Sequence, residues 1–219
     1  MILVRRDSRD RRVLQLEQRA RRAAVRVERV DEERIESVAT GRTHGGVVAL
    51  VGPRRYAGPD ELLGRSQTPF VAMLDGVEDP FNFGYAVRSL YAAGADGLVL
   101  PPRNWMSAAA VVARASAGAS ELIPTTVVET ALEAARTFAG YGLAVVCTGT
   151  ERAVSLYEAE LTGPLFLVVG GEHRGISRAL LQEADVVVRI PYGRDFRQSL
   201  ATSSAAVVLA FEVLRQRSR

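Results

Sequence analysis

From residue 70 onwards the chain alternates short apolar segments with amphipathic ones, and this alternation constrains its fold more than any other feature. The segments 143–146, 166–169 and 186–188 are apolar at every position. Strands that are buried on both faces of a parallel sheet have this continuous apolar character. We therefore predict an α/β fold in which a parallel sheet has helices on both faces. The predicted strands are 70–75, 97–100, 121–124, 142–148, 165–170 and 185–190, and the predicted helices are 82–93, 105–117, 127–139, 176–183 and 199–216.

The beginning of the chain has a shorter pattern of its own. Its periodicity predicts strands at 2–4 and 25–30, helices at 9–22 and 31–38, and a further apolar segment at 47–51. The segment 52–69 is rich in glycine, proline and charged residues, as linkers are. We therefore predict a small α/β lobe over 1–51, a linker over 52–69 and a larger domain over 70–219.

Charge is unevenly distributed along the chain. Residues 1–30 contain ten arginines and four acidic residues, although the net charge of the whole chain is only +3. A basic face of this kind is typical of proteins that bind nucleic acids. A helix face that is merely solvated has the same composition, so charge alone leaves both interpretations open.

Composition also argues against several classes of protein. With one cysteine, Cys147, the chain has no internal disulfide, and its two histidines are too few and too scattered to favour a zinc site. No apolar run approaches the roughly 20 residues of a membrane-spanning helix, so we expect no membrane association. The arginine-rich start lacks the apolar core of a signal peptide, and we expect a cytoplasmic protein. The glycine signatures of dinucleotide-binding and phosphate-binding loops are missing as well.

Three short motifs follow predicted strands, where open α/β sheets build their ligand sites. Residues 79–84 read Asp-Pro-Phe-Asn-Phe-Gly and lead into a helix that carries Arg88. Residues 170–175 read Gly-Gly-Glu-His-Arg-Gly. Residues 190–193 read Ile-Pro-Tyr-Gly and are followed by Ser199 and Leu200.

In their order and partners, these motifs resemble the three signature blocks of the SpoU/TrmH-type RNA methyltransferases of the SPOUT class. The resemblance covers residues 70–217. Further upstream, His44-Gly45-Gly46-Val47 is similar to the segment that closes the small RNA-binding lobe of many members. Because fewer than 50 residues precede it, the lobe here is expected to be a truncated substrate-binding lobe.

The resemblance implies properties that the sequence pattern does not. It implies a C-terminal trefoil knot, which is very rare among folds, and S-adenosyl-L-methionine bound in that knot. It also implies a homodimer and methyl transfer to a ribose 2′-hydroxyl of structured RNA, either rRNA or tRNA. No metal is required by this chemistry.

The resemblance also assigns roles to individual residues. The catalytic group it implies is Asn82, Arg88, Glu172 and Ser199, and the cofactor-binding group is Thr148, Gly149, Gly170, Ile190 and Leu200. Arg88 would position or polarise the ribose hydroxyl, because a guanidinium with a pKa above about 12 is a poor base.

Each polar residue of the catalytic group also has a purely structural interpretation. Asn82 could be the N-cap of its helix or a neighbour of the cap, and Ser199 could be the N-cap of the last helix. Arg88 could be a solvent-facing arginine, and Glu172 could pair with Arg174 or Arg178.

One position departs from the family pattern, and it keeps alternatives open. The family usually has asparagine after Ser-Leu, where this chain has Ala201. The change removes an amide donor and acceptor near the expected methyl acceptor. A knotted RNA-binding protein with little catalysis, or methyl transfer to a base or a non-RNA acceptor, therefore remains as an alternative to ribose 2′-O-methylation.

Overall fold

The computed structural model describes residues 1–39, 41, 44–64, 66–102, 108–171 and 175–218. Within this part of the chain there are two compact units, Met1–Arg55 and Tyr56–Arg219. No helix among the described residues is long and apolar enough to cross a membrane.

The first unit is a three-stranded sheet with two helices. Its strands are β1 (Ile2–Arg5), β2 (Val27–Val30) and β3 (Val47–Ala49), and its helices are α1 (Arg11–Arg22) and α2 (Glu32–Glu36). β1 is central, parallel to β2 and antiparallel to β3. Buried residues from β1 and the two helices form its interior: Leu3, Val4, Val13, Ala20 and Ile35.

The second unit contains a seven-stranded parallel sheet, in the order β6-β5-β4-β9-β7-β10-β8. Its strands are β4 (Phe70–Asp75), β5 (Gly97–Leu100), β6 (Thr125–Val127), β7 (Ala144–Thr148), β8 (Val154–Ser155), β9 (Leu165–Gly170) and β10 (Val186–Arg189). Its helices are α3 (Pro80–Ala92), α4 (Ala109–Ala115), α5 (Ala131–Gly140), α6 (Arg178–Glu183) and α7 (Thr202–Arg217).

The central strands are buried on both faces, which confirms the predicted architecture. Along β4, Phe70, Ala72 and Leu74 belong to one apolar cluster, shared with α3 and α7. Val71 and Met73, whose side chains alternate with these, belong to a second cluster, shared with α5 and α6. Helices thus cover both faces of the sheet, as the continuous apolar strands indicated.

Most predicted elements are confirmed, and three strands (70–75, 97–100 and 165–170) have the predicted bounds. The prediction of a strand over 121–124 is wrong. Ala119–Glu121 forms a 3-10 helix, and β6 begins at Thr125. Pro124 has no N–H to donate to a sheet, and it contributes only its carbonyl, which accepts from Leu98 N at 2.9 Å.

The segment before β4 is part of the packed second unit. The predicted linker contains a 3-10 helix, Asp60–Leu63, and Leu62 is completely buried. A Cβ added at Gly97 would lie only 2.4 Å from Leu62 Cγ, so this segment packs closely on β5. The trefoil knot stays a prediction, because strand pairing alone does not describe how the chain is threaded.

Candidate functional site

The predicted cofactor-binding residues come from adjacent strands and their carboxyl ends. β9 lies between β4 and β7, and β10 lies beside β7. The last residue of β4, Asp75, is paired with Gly170 at the end of β9. Thr148 ends β7 and is paired with Val188 of β10. These strand ends therefore form one continuous edge, which is where parallel α/β sheets bind ligands.

Two threonines hold the backbone at the end of β9. Gly170 N–H donates to Thr148 Oγ1 at 3.0 Å. The hydroxyl of Thr202, at the start of α7, donates to Gly170 O at 3.3 Å. Thr202 is 3% exposed, so this second bond is shielded from water. The two bonds connect residues from β7, β9 and α7 and fix the peptide groups on both sides of the predicted cofactor residue.

The ends of β4 and β9 also approach each other closely beyond the sheet. A Cβ added at Gly171 would lie 2.6 Å from the carbonyl oxygen of Gly76, so only glycine fits there. At Gly170 an added Cβ would lie about 3.0–3.1 Å from atoms of Gly175 and Ile176. The turn that follows β4 is thus packed against the start of the second motif, and Gly170 makes room for the loop at Gly175 and Ile176.

At the neighbouring strand end, Gly149 joins β7 to β10. Its N–H donates to Val188 O at 3.0 Å, and an added Cβ would lie 2.7 Å from Val187 Cγ1. Nearby, Cys147 is buried. Burial, with a smaller contribution from the charge of Asp75, raises the pKa of its thiol to about 12. The thiol is therefore protonated at neutral pH and unsuited to act as a nucleophile.

The third motif forms a cleft of about 470 Å³, a size typical of small-molecule sites. It is lined by Ile190, Pro191, Tyr192, Gly193, Arg194, Phe196 and Leu200. Across it, Leu200 N–H donates to Tyr192 Oη at 3.1 Å. The rings of Tyr192 and Phe196 lie 6.1 Å apart and are tilted by 48°. The cleft thus combines aromatic walls with a backbone donor, and it includes the predicted cofactor residues Ile190 and Leu200.

The first motif begins helix α3. Asp79 is the N-cap, and its Oδ1 accepts from Asn82 N at 2.7 Å, while Pro80 occupies the first turn. Asn82 is therefore a neighbour of the N-cap and not the N-cap itself, which is Asp79. Gly84 is required for packing, since an added Cβ would lie 2.5 Å from Ala115 Cβ of α4.

Arg88 lies two turns into α3 with its side chain exposed. It shares one face of the helix with the exposed residues Phe81 and Tyr85, at i, i+4 and i+7. This arginine is thus available to a ligand or a partner molecule.

The other two predicted catalytic residues have different outcomes. Ser199 is exposed in the loop before α7 and does not cap it, because the N-cap is Ala201, which makes no side-chain capping bond. Glu172 lies outside the described residues, and so does Arg174. The structure therefore joins Thr148 to Gly170 and places Ile190 and Leu200 in one cleft. That all five residues bind the cofactor, and that the four catalytic residues meet, stay predictions.

Sequence reasoning missed two residues of this site. Thr202 lies shortly after the third motif, and nothing in the sequence pattern indicated that its hydroxyl donates a hydrogen bond to Gly170 O. Tyr192 stood within the motif, but only a folded loop places its phenol opposite Leu200. Among the described residues, no cluster of three or more His, Cys, Asp or Glu side chains could hold a metal ion.

Comparison with known proteins identifies the family. Residues 69–211 match the model of the SpoU rRNA Methylase family. Residues 1–57 match the family described as RNA 2′-O ribose methyltransferase substrate binding.

Named relatives extend over nearly the whole chain. A 23S rRNA (guanosine-2′-O-)-methyltransferase RlmB from Xanthomonas campestris pv. campestris is 34% identical over 220 residues, which cover 99% of this chain and 88% of the relative. The protein of the same name from Ralstonia nicotianae is 36% identical over 212 residues, covering 96% and 85%.

Solved structures share the fold. An rRNA methyltransferase from Sinorhizobium meliloti superimposes with a TM-score of 0.77 at 25% identity, covering 98% of this chain and 78% of that one. The SpoU methyltransferase AviRb from Streptomyces viridochromogenes gives a TM-score of 0.79 at 23% identity, covering 99% and 81%. The resemblance predicted from the three motifs is confirmed, and with it the enzyme class: this chain belongs to the SpoU rRNA methylase family.

Proposed function

We propose that this chain is an S-adenosylmethionine-dependent methyltransferase that methylates the 2′-hydroxyl of a guanosine ribose in 23S rRNA. The observation that supports the proposal is the aromatic-lined cleft formed by the third motif, directly after β10, on a sheet in which β10 lies beside β7 and β7 beside β9. The named activity of relatives that align over nearly the whole chain supports the choice of acceptor.

The cleft fits the methyl donor chemically. An adenine ring requires flat apolar walls and hydrogen-bond donors, and Tyr192, Phe196 and the backbone of Leu200 offer both. Ile190 and Leu200 would hold the adenine, and Thr148, Gly149 and Gly170 would surround the rest of the molecule. When bound, the cofactor would supply a methyl group on a sulfonium sulfur. An oxygen nucleophile can attack this methyl carbon in line, with the thioether as the leaving group.

The remaining polar residues would act on the RNA. A neutral ribose hydroxyl is a weak nucleophile until its proton is removed near the attack geometry. The guanidinium of Arg88 carries several donors and stays charged, so it can align the hydroxyl and the adjacent phosphate. Asn82, Ser199 and Glu172 would orient Arg88 or the nucleotide. Much of the rate enhancement would come from this alignment, which is worth several kcal/mol in well-oriented reactions.

The proposed active form is a homodimer in the cytoplasm. Phe81 and Tyr85 of α3 are 52% and 50% exposed, and Phe211 of α7 is 45% exposed. Because α3 packs on α7, these aromatic residues belong to one helical layer, and exposed apolar surface of this kind marks interfaces. A second copy of the chain would cover it and leave Arg88 at the edge of the contact.

Methyl transfer to defined RNA tests the proposal. In vitro transcribed 23S rRNA is incubated with the purified chain and S-adenosylmethionine, then digested and analysed by mass spectrometry. We expect one guanosine to gain a ribose methyl group. A methyl group on a base, or cofactor binding without any RNA methylation, would contradict the proposed reaction and favour the alternatives that Ala201 leaves open. Light scattering of wild type and Phe211→Glu tests the dimer, with Phe196→Glu as a control that is also exposed and aromatic.

A further inference from the structure

Helix α1 has an arginine stripe that faces away from the interior of its unit. Arg11, Arg12, Arg19 and Arg22 are all exposed. With 3.6 residues per turn, these four side chains project within an arc of about 100°. Gln15 and Gln18 are also exposed and lie on or beside this arc. We call these six residues the α1 stripe. The buried residues of the helix, Val13, Glu17 and Ala20, lie on the opposite side.

The acidic residues near this helix are turned away from the stripe or engaged elsewhere. Glu17, the one acid within α1, has a side chain that is only 8% exposed. Its two carboxylate oxygens accept from Arg29 Nε at 2.8 Å and Arg29 Nη2 at 3.0 Å. Asp10 serves as the N-cap and accepts from Arg12 N at 2.7 Å. The stripe itself therefore contains no carboxylate.

Four other arginines of the same unit are paired with acids. Arg5 pairs with Asp7 and Glu32, Arg6 with Asp31, Arg26 with Glu28, and Arg29 with Glu17. In contrast, within the described part of the chain, the stripe arginines have no ion pair and no side-chain hydrogen bond. Among its described residues, the unit thus has four arginines without an ion pair together on one face of α1, while Arg9, Arg21 and Arg34, which also lack an ion pair, lie outside the stripe. This grouping distinguishes the stripe from an ordinary solvated surface.

We infer that the α1 stripe binds the phosphate backbone of the structured RNA substrate, an inference that rests on the proposed function and specifies the surface used. Guanidinium groups match phosphate oxygens in bidentate geometry, and glutamine amides add neutral donors. The 12-residue helix is about 18 Å long, so it can contact several consecutive phosphates. A-form RNA is recognised largely through such backbone and shape contacts.

An anionic membrane is a weaker match for the same charge. Helices that lie on a membrane surface present a large apolar face to the acyl chains. The apolar face of α1 is buried within its own unit through Val13 and Ala20. Leu14 and Leu16 are 43% and 36% exposed, but at 3.6 residues per turn they project from opposite flanks of the helix and form no common apolar face. The stripe thus offers charge without a continuous apolar face beside it.

Equilibrium binding of an rRNA fragment to the full chain, without cofactor and at several salt concentrations, tests the inference. The test variant is R11Q/R19Q. The matched control is R6Q/R26Q, which removes the same charge from arginines whose side chains are 67% and 76% exposed but paired. Glutamine is a good helix former, and thermal melting verifies that each variant is folded.

We expect R11Q/R19Q to bind RNA at least about 10-fold more weakly. The magnitude of its slope of log K against log salt should fall by about 1.4 to 1.8, since each of the two lost phosphate contacts contributes roughly 0.7 to 0.9. The control should stay within about 2-fold of wild type. Equal losses in both variants, or no loss in R11Q/R19Q, would overturn the inference. So would binding to vesicles of anionic phospholipid that R11Q/R19Q abolishes while RNA affinity is unchanged.

The inference and the proposed function fail separately. If the stripe positions RNA, methyl transfer by R11Q/R19Q should show a raised KM for RNA with kcat unchanged. A wild-type chain that binds RNA through the stripe but transfers no methyl group would refute the proposed reaction and leave the inference about the stripe intact. If R11Q/R19Q methylates RNA with the same KM for RNA as the control R6Q/R26Q, the inference about the stripe is refuted and the proposed reaction stands.

Discussion

The phenol oxygen of Tyr192 accepts the backbone N–H of Leu200 at 3.1 Å, across the cleft in which the methyl donor is proposed to bind. Leu200 N–H is one of the donors on which the adenine would depend. The phenol therefore already accepts the Leu200 N–H that the ligand needs. On binding, an acceptor atom of the adenine would have to replace the phenol oxygen as the partner of this N–H.

Replacing Tyr192 with phenylalanine should tighten cofactor binding. The substitution keeps the aromatic wall and removes only the competing acceptor. Because a hydrogen bond contributes about 1 kcal/mol net, we expect the Kd for S-adenosylmethionine to fall several-fold in titration calorimetry. Phe196→Leu removes one of the two aromatic rings of the cleft and leaves the phenol of Tyr192 in place, so it should weaken cofactor binding. Weaker binding by Tyr192→Phe would show instead that the hydroxyl supports the occupied cleft.

Replacing Arg88 with alanine should abolish most methyl transfer while leaving cofactor binding intact. Loss of a group that aligns the nucleophile and its proton typically costs about 10²- to 10⁴-fold in rate. Single-turnover transfer to rRNA gives the rate, and calorimetry gives the Kd. The neighbouring change Ser89→Ala is the control, because that hydroxyl is used within the helix, on Tyr85 O at 3.0 Å. An unchanged rate in Arg88→Ala would refute the catalytic assignment.

Replacing Thr202 with valine should loosen the end of β9. The change is close in shape but leaves Gly170 O without the Thr202 hydroxyl in a buried setting. We expect a loss of about 1 kcal/mol of stability and a several-fold higher Kd for the cofactor. Thr137→Val removes a similar hydroxyl-to-backbone bond, to Glu133 O at 2.9 Å on the exposed side of α5, and should leave the Kd unchanged. Equal effects of both variants on the Kd would show that the hydrogen bond from Thr202 to Gly170 O does not support the cofactor site.

Replacing Ala201 with asparagine should stabilise the protein. Ala201 is the N-cap of α7 and makes no side-chain bond, whereas asparagine is among the best capping residues, at about 0.5 to 2 kcal/mol relative to alanine. For a protein of this size, 1 kcal/mol corresponds to a rise in Tm of about 2–4 °C. Differential scanning calorimetry measures it. Ala205→Asn, which lies inside the same helix, should lower Tm, and a fall in Tm for Ala201→Asn as well would contradict the capping interpretation.

The Glu17–Arg29 pair should make the first unit sensitive to acid. Hydrogen bonds from Arg29 hold the pKa of the Glu17 carboxyl below its usual range. A carboxyl with a depressed folded pKa contributes its stabilisation fully above its unfolded pKa of about 4.3. This contribution is lost as pH falls through the folded pKa. The stability difference between wild type and Glu17→Gln should therefore shrink on going from pH 6 to pH 3.

Hydrogen exchange of the β2 amides, corrected for intrinsic rates, measures this difference within the first unit. Glu36→Gln replaces an exposed carboxylate on α2 and should show little change with pH. A difference for Glu17→Gln that is constant from pH 6 to pH 3 would show that the pair does not stabilise this unit.

Local pattern was sufficient for strands whose burial is continuous. The strands at 70–75, 97–100 and 165–170 could be bounded from sequence because every central position is apolar and the flanking residues are not. The same reasoning failed at 121–124, where the apolar pair Leu122 and Ile123 precedes Pro124 without forming a strand. Short apolar segments do not by themselves distinguish a strand from a turn of helix.

The sequence by itself determined the fold class, the family and the three motifs, because these depend on apolar periodicity and on residue types at local spacing. Only the tertiary structure decided which groups meet. Thr148, Gly170 and Thr202 are separated by 22 and 32 positions, and they are joined because β9 is inserted between β4 and β7 and α7 returns to its end. Likewise, the inward turn of Glu17 toward Arg29 leaves an unopposed arginine stripe on α1. Hydrogen bonds and ion pairs between distant positions depend on how the helices and strands pack against one another, and local sequence patterns do not show that packing.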